Sequence, residues 1–153
     1  MPKMKLLTLL FPLILTSCHP LFCNWNRGFE QLKIKPNIEE VIGKYELDRR
    51  SKEFLFDRNY SAGKYYLTLL ENGDFKFTNG PDMIFNSWGK SNQKLIDKEG
   101  KWSLSCAKSY NCMIELNGVF VEPLCQKDGE IAVLITIGDP DECNGIILSL
   151  IHI

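Results

Sequence analysis

The chain has 153 residues, with 18 lysines and arginines against 19 aspartates and glutamates, and its formal net charge at pH 7 is −1. This length suits one compact domain with a single core. The charge balance lacks the basic excess of nucleic-acid-binding domains, so we expect no nucleic-acid partner.

Residues 1–17 have the layout of a secretory signal peptide. Lys3 and Lys5 precede an apolar run, Leu6–Leu15, which is shorter than the roughly 20 residues that a membrane-spanning helix needs. The residues Leu15-Thr16-Ser17-Cys18 resemble the cleavage site of bacterial lipoproteins, in which the cysteine is acylated and becomes the new N-terminus. The alternative is cleavage by the ordinary signal peptidase, with Cys18 unmodified.

The resemblance to bacterial lipoproteins implies a covalent lipid anchor. Each acyl chain on Cys18, such as palmitate, would contribute about 0.8 kcal/mol per buried methylene group. Residue 19 is histidine, whereas an aspartate at this position retains the lipoproteins of enteric bacteria at the inner membrane. We therefore expect an anchor in the outer membrane. Because no acidic cluster follows Cys18, the periplasmic face is favoured.

The domain is predicted to cover residues 41–153. Residues 18–40 show neither helical nor alternating periodicity and are predicted to be a tether. Gly43–Asp48 alternates apolar and polar residues, which predicts the first strand. The charged stretch Arg49–Arg58 that follows is predicted to be a loop or a short helix.

A hairpin and a long connection follow. Lys64–Leu70 and Asp74–Thr78 are predicted strands, joined at Asn72-Gly73, a dipeptide that is typical of type I′ turns. Residues 79–99 mix glycine, proline and polar residues, and they predict a long excursion with a helical turn near residues 83–85. Excursions of this length often carry function.

The second half of the chain predicts a meander of short strands. Alternating or branched apolar residues recur between turn signals at Trp102–Cys106, Cys112–Leu116, Val119–Leu124, Glu130–Ile137 and Ile146–Ile151. With the first half, this gives about eight strands, the number expected of a small antiparallel barrel or sandwich. The set Ile131, Val133, Ile135 and Ile137 is expected to face the core, since side chains alternate between the faces of a strand.

Three segments together resemble the lipocalin-like lipoproteins of bacteria. They are Gly43-Lys44-Tyr45-Glu46-Leu47, the hairpin from Leu67 to Phe75, and Gly100-Lys101-Trp102-Ser103-Leu104. The resemblance covers residues 41–153 and implies an up-and-down barrel of about eight antiparallel strands. Tyr45 stands where lipocalins proper have tryptophan, so ligand binding is not implied by the family, and Tyr45 and Trp102 are expected in the core.

Five cysteines remain once Cys18 is assigned to acylation. Exported proteins meet oxidants, which favours disulfides. In a meander, Cys106 and Cys112 flank one turn and should pair, whereas Cys125 and Cys143 fall at opposite ends of the barrel. Cys23, in the predicted tether, can reach Cys143, and Cys125 is then left unpaired. A zinc site is the alternative use of these cysteines, but short Cys-x-x-Cys spacing is missing.

Catalytic and metal-binding patterns are weak in this sequence. The two histidines, His19 and His152, lie near the ends of the predicted mature chain, and neither is placed for catalysis. The acidic residues Asp139, Asp141 and Glu142 could bind calcium, but a solvated turn accounts for them as well. We therefore predict a non-enzymatic protein without cofactor or metal.

Two functions compete. The first is the binding of a small apolar ligand by a membrane-anchored barrel, with contacts from Phe75, Phe77, Phe85 and Trp88. The alternative is a protein-interaction role, as an inhibitor, an immunity protein or an envelope assembly factor, that uses the 79–99 excursion as its surface. The two functions differ in whether these aromatic residues point into the barrel or out of it.

Overall fold

The computed structural model describes residues 25–86, 90–107 and 110–151. Three single 3-10 turns lie in this part of the chain, at Ile38–Glu40, Asp82–Ile84 and Pro140–Glu142. The regular elements described are one α-helix and nine strands: α1 (Arg49–Phe56), β1 (Glu30–Gln31), β2 (Gly43–Leu47), β3 (Tyr66–Leu69), β4 (Asp74–Pro81), β5 (Leu95–Ala107), β6 (Tyr110–Leu116), β7 (Phe120–Lys127), β8 (Glu130–Thr136) and β9 (Gly145–Ile151).

Strands β2 to β9 form a closed barrel of eight strands. Each pairs antiparallel with the next in chain order, and β9 pairs with β2, where Tyr45 lies opposite Leu150. The prediction of an all-β, up-and-down barrel is therefore confirmed, and the architecture is consistent with a lipocalin-like barrel. The sandwich alternative is wrong, because the ring of ladders is continuous.

Glycine-containing turns connect several of the strands, as predicted, but the turn types differ. At Asn72-Gly73 only the glycine has a positive φ, +78°, and its N–H donates to the carbonyl of Leu70 at 3.0 Å. This is a longer turn than the predicted type I′. At Asp128-Gly129 both residues have positive φ, 50° and 85°, and Lys127 lies opposite Glu130, so the two-residue type I′ geometry occurs there.

The barrel interior is filled with side chains. The fully buried residues include large aromatic and aliphatic side chains from most of the strands: Tyr45, Leu67, Leu69, Phe75, Phe77, Ile114, Leu116, Leu124, Ile135 and Ile146. Trp102 is also buried, and its indole N–H donates to the carbonyl of Leu70 at 2.9 Å. The predicted inward set of β8 lies in the same core. The interior is therefore packed in the manner of small barrels.

The outer face of β8 is buried as well. Ala132 and Leu134 point outward and form a second apolar cluster with Phe29, against which Trp25 packs. The cover comes from the stretch predicted as a tether, of which residues 25–40 run along the barrel wall. Two apolar side chains on the outside of a strand thus explain why this segment is held there.

Strand β1 fits between the diverging ends of β6 and β7. Glu30 lies opposite Gln126 on β7, and the N–H of Leu32 donates to the carbonyl of Leu124 at 2.9 Å. On the other side, the N–H of Cys112 on β6 donates to the carbonyl of Leu32 at 2.7 Å. The backbone groups of both barrel strands are therefore paired where the strands separate.

Helix α1 covers one end of the barrel, which we call the helix end. Asp48 caps it, since its carboxylate accepts from the N–H of Ser51 at 2.8 Å. Ser51 is fully buried and its hydroxyl accepts from the N–H of Ile147 at 2.8 Å. Leu55, one turn later, is buried in the core. The hydrogen bond of Ser51 and the burial of Leu55 together hold the helix against β9.

Candidate functional site

The aromatic residues predicted to contact a ligand or partner lie mainly inside the barrel. Phe75 and Phe77 are buried in the core. Phe85 is half-buried and packs edge-to-face on Phe77, with ring centroids 5.6 Å apart. Trp88 lies outside the described residues. Because Phe75 and Phe77 occupy the interior themselves, the grooves on the outer surface are the candidate binding sites.

The excursion predicted at residues 79–99 is shorter in the structure. Strand β4 extends to Pro81 and β5 begins at Leu95, so the connection between them runs from Asp82. The buried Asp82 carboxylate accepts from the Tyr60 hydroxyl and from the N–H of Asn92, the latter at 2.7 Å. The predicted helical turn corresponds to the 3-10 turn Asp82–Ile84. The described parts of this connection are therefore held at the helix end of the barrel.

A surface groove of about 300 Å³ lies between α1 and the loop that follows it, and we call it the α1 groove. Phe56 forms part of its wall and is 69% exposed, the second most exposed of the large hydrophobic side chains described. The groove is lined by Lys52, Glu53, Phe56, Asp57, Tyr60, Ser61, Ala62, Gly63 and Tyr65. Its size is near the lower limit for a small-molecule site.

The lining of the α1 groove combines aromatic residues with the charged residues Lys52, Glu53 and Asp57. Burial, and next to it a hydrogen bond to Asp82, raise the pKa of Tyr60 to about 12. Burial also raises the pKa of Tyr65, whose hydroxyl donates to the carbonyl of Ser61. Among the charged lining residues, Lys52 pairs with Glu46 at 2.5 Å. A lining of aromatic and charged side chains suits an amphipathic ligand.

Sequence reasoning missed the α1 groove. Arg49–Arg58 was predicted as a loop or short helix, because its charges hide the apolar periodicity. One signal was available: Asp48 stands at a capping position, and Lys52 and Phe56 are four residues apart and share one helix face. The spacing could have shown that Phe56 points away from the buried Leu55.

Glu122 is a second residue that the sequence analysis did not single out. On the β6–β7 ladder it lies opposite Ile114, a core residue, so its side chain is on the inner face of the barrel. Burial raises the pKa of Glu122 to about 8, opposed by a hydrogen bond from the backbone N–H of Thr136. The nearby Cys125 thiol has a pKa raised to about 12, first by burial and then by the charge of Glu122.

The cysteines agree with the predicted pairing where the structure describes them. Cys106 and Cys112 form a disulfide across the β5–β6 ladder, as predicted. Cys125 is buried and free. Cys143 is disulfide-bonded, but its predicted partner Cys23 lies outside the described residues, as does Cys18. The Cys23–Cys143 bond and the acylation of Cys18 stay predictions.

The acidic loop between β8 and β9 forms a capped turn. The Asp139 carboxylate accepts from the N–H of Asp141 at 3.0 Å, which caps the 3-10 turn Pro140–Glu142. Across the described ranges, 25–86, 90–107 and 110–151, no group of three or more histidine, cysteine or acidic side chains could hold a metal ion. His19 and His152 lie outside these ranges.

No helix within the described residues is long and apolar enough to cross a bilayer. Comparison of the chain with protein-family models, with curated proteins and with solved structures finds no significant match.

Proposed function

We propose that this protein is a lipocalin-like lipoprotein, acylated on Cys18, that binds a small amphipathic ligand in the α1 groove without catalysing a reaction. The observation that carries the ligand site is Phe56, a large apolar side chain that is 69% exposed on the wall of a groove of suitable size. Leaving such a ring in water is unfavourable, and an apolar ligand would cover it.

The proposed anchor follows from the signal at Leu15-Thr16-Ser17-Cys18. Acylation would hold the domain at the periplasmic face of the outer membrane, since His19 replaces the aspartate of inner-membrane lipoproteins. Two or more acyl chains are needed for stable attachment, which lipoprotein processing supplies. An anchored protein would meet amphipathic molecules that enter or leave the membrane.

The ligand proposal is tested with an apolar fluorescent probe, N-phenyl-1-naphthylamine, titrated into the mature protein. We expect Phe56→Ala to weaken probe binding by about tenfold, since losing part of a ring contact of 1.5–3 kcal/mol changes affinity on this scale. Val121→Ala is the matched control: Val121 is also exposed, at 55%, but lies on β7 outside the groove. Equal binding by the two variants would contradict the α1 groove as the site.

A complementary measurement is native mass spectrometry of the protein extracted from its own envelope. A bound small molecule in the wild type, missing from Phe56→Ala, supports the proposal. A bound protein subunit in place of a small molecule would favour the alternative role instead.

A protein-interaction role through residues 79–99 is the second candidate. The observation in its favour is the buried Asp82, whose hydrogen bonds to Tyr60 and Asn92 hold the described parts of this connection, residues 82–86 and 90–94, in place. A preorganised loop binds a partner at lower entropic cost. Alanine at the exposed Asn86 tests this role, because a partner recovered by pull-down with the wild type should be lost.

A further inference from the structure

We propose that the exposed face of α1 is the surface that lies against the lipid bilayer, so that the α1 groove opens towards an anionic lipid surface. This inference rests on the proposed anchor at Cys18 and adds an orientation and a ligand source to it. The occupant of the face is the headgroup layer of the membrane.

The contacts of the first described residues show which end of the barrel is nearer to the anchor. The Trp25 ring packs on Gly145, where a Cβ would lie 2.5 Å from it, and Gly145 begins β9 at the helix end. The seven residues from Cys18 to Trp25 can span at most about 25 Å when fully extended. Arg27, two residues further on, pairs with Asp48 directly before α1, so the first described residues lie at this end of the barrel. The helix end is therefore the nearer one.

The chemistry of α1 fits an anionic lipid surface. Phe56 is 69% exposed, and Arg49, seven residues earlier on the same helix face, has a side chain that is 87% exposed. Between residues 49 and 58 the chain carries four cationic side chains and two acidic ones, although the whole chain has a small acidic excess. Apolar side chains among basic ones are the composition of interfacial helices.

A second surface competes for the membrane. Ile34 is 82% exposed and lies between Lys33 and Lys35, both exposed, near the β7–β8 turn at the opposite end of the barrel. Its groove is lined by two acidic residues, Glu30 and Asp128, as the α1 groove is by Glu53 and Asp57. Because Trp25 packs on Gly145 and Arg27 pairs with Asp48, the residues nearest the anchor contact the helix end, and we assign the membrane contact to α1.

The test uses the full chain, processed in cells and purified with its acyl groups. The mature protein is reconstituted into vesicles of phosphatidylethanolamine and phosphatidylglycerol that contain a phospholipid with a diazirine in its acyl chain. After irradiation, mass spectrometry locates the cross-linked peptides. The mass of the Cys18 peptide, measured in the same sample, reports acylation independently.

We expect residues 49–65 to carry about tenfold more label than residues 30–40, since the diazirine reacts with side chains that enter the acyl region. Phe56→Ser should remove most of this label, whereas Ile34→Ser, the matched change on the competing surface, should leave it. Acylated protein labelled mainly at residues 33–38, or evenly over the barrel, would overturn the orientation alone. A Cys18 peptide without acyl groups would overturn the anchor and, with it, the orientation.

Discussion

At the scale of one residue, Glu122 lies where strands β7 and β8 of the barrel separate. The hydrogen-bonded pairing of β7 with β8 starts at the turn between them and ends at the pair Leu124–Val133. Beyond it, the Thr136 N–H donates to the Glu122 carboxyl group. A side chain thus replaces a ladder hydrogen bond where the two strands separate, and the replacement places an ionisable group against the core.

The burial of Glu122 predicts a stability that falls with rising pH. Its pKa is about 8 in the folded protein against an ordinary value of 4.5. Because the folded-state pKa is the higher one, the stabilisation is complete below about pH 4.5 and is lost as the pH rises through 8. Each unit of pKa difference corresponds to about 1.4 kcal/mol of unfolding free energy. We therefore expect a loss of a few kcal/mol across this window.

Urea midpoints of the wild type and of Glu122→Gln, measured from pH 5 to pH 8, check this prediction. The amide keeps the shape of the protonated carboxyl group but does not titrate, so the variant should show a flatter profile. The Cys125 thiol, whose pKa is raised to about 12, stays neutral over this range. Parallel profiles for the two proteins would show that Glu122 does not titrate with folding.

At the scale of one element, β8 has both faces buried, as does the first part of its neighbour β9. Its inward residues Val133 and Ile135 lie in the barrel core, and its outward residue Leu134 lies under Phe29 and Trp25. An antiparallel strand with one solvated face would alternate apolar and polar residues. The near-continuous apolar run of β8 therefore reflects two separate covers, the barrel interior on one side and the N-terminal segment on the other.

This double burial predicts similar losses from neighbouring substitutions. Ile135→Ala and Leu134→Ala should each destabilise the protein by about 2 to 5 kcal/mol, the range for truncating a buried aliphatic side chain. Thr136→Ala, at a half-buried position, should cost well under half as much. Denaturant midpoints of the three variants provide the check. A Leu134→Ala loss as small as that of Thr136→Ala would mean that residues 25–29 do not cover the strand in solution.

At the scale of the whole molecule, one segment connects the proposed anchor to the fold. Between Trp25 and Val41 the chain passes along the outer wall of β7 and β8, inserts β1 beside β7 and enters the barrel at β2. Arg27 forms an ion pair with Asp48 at the start of α1. A pull on the anchor is therefore transmitted to the barrel wall and to the helix end.

The anchor itself predicts a change of location without a change of fold. Cys18→Ala should abolish membrane attachment, because acylation is the only anchor that the sequence predicts. The barrel should keep its stability, since its described contacts begin at Trp25. Fractionation of cells fed radiolabelled palmitate measures both attachment and labelling. Membrane attachment of the wild type without label on Cys18 would contradict the proposed acylation.

Local sequence determined where the strands lie and, for several of them, which side chains point into the barrel. The alternation of Ile131, Val133 and Ile135 sets which side of β8 points inward, because side chains on a strand alternate strictly. The spacing of Cys106 and Cys112 around one turn likewise determined their disulfide. Both features depend on residues close together in the chain, where the geometry of a strand or a hairpin leaves little choice.

Tertiary structure alone decided which surfaces are covered and which remain open. The positions of Phe29 over Leu134 and of Glu122 beside Thr136 join residues far apart in the chain, so no local period encodes them. The exposure of Phe56 has the same kind of cause. Leu55 packs into the end of the barrel, and the neighbouring Phe56 is left on the face of α1 that points to solvent. Alternation determines on which side of a strand a side chain lies. Which residues pack against it is determined only when the barrel closes.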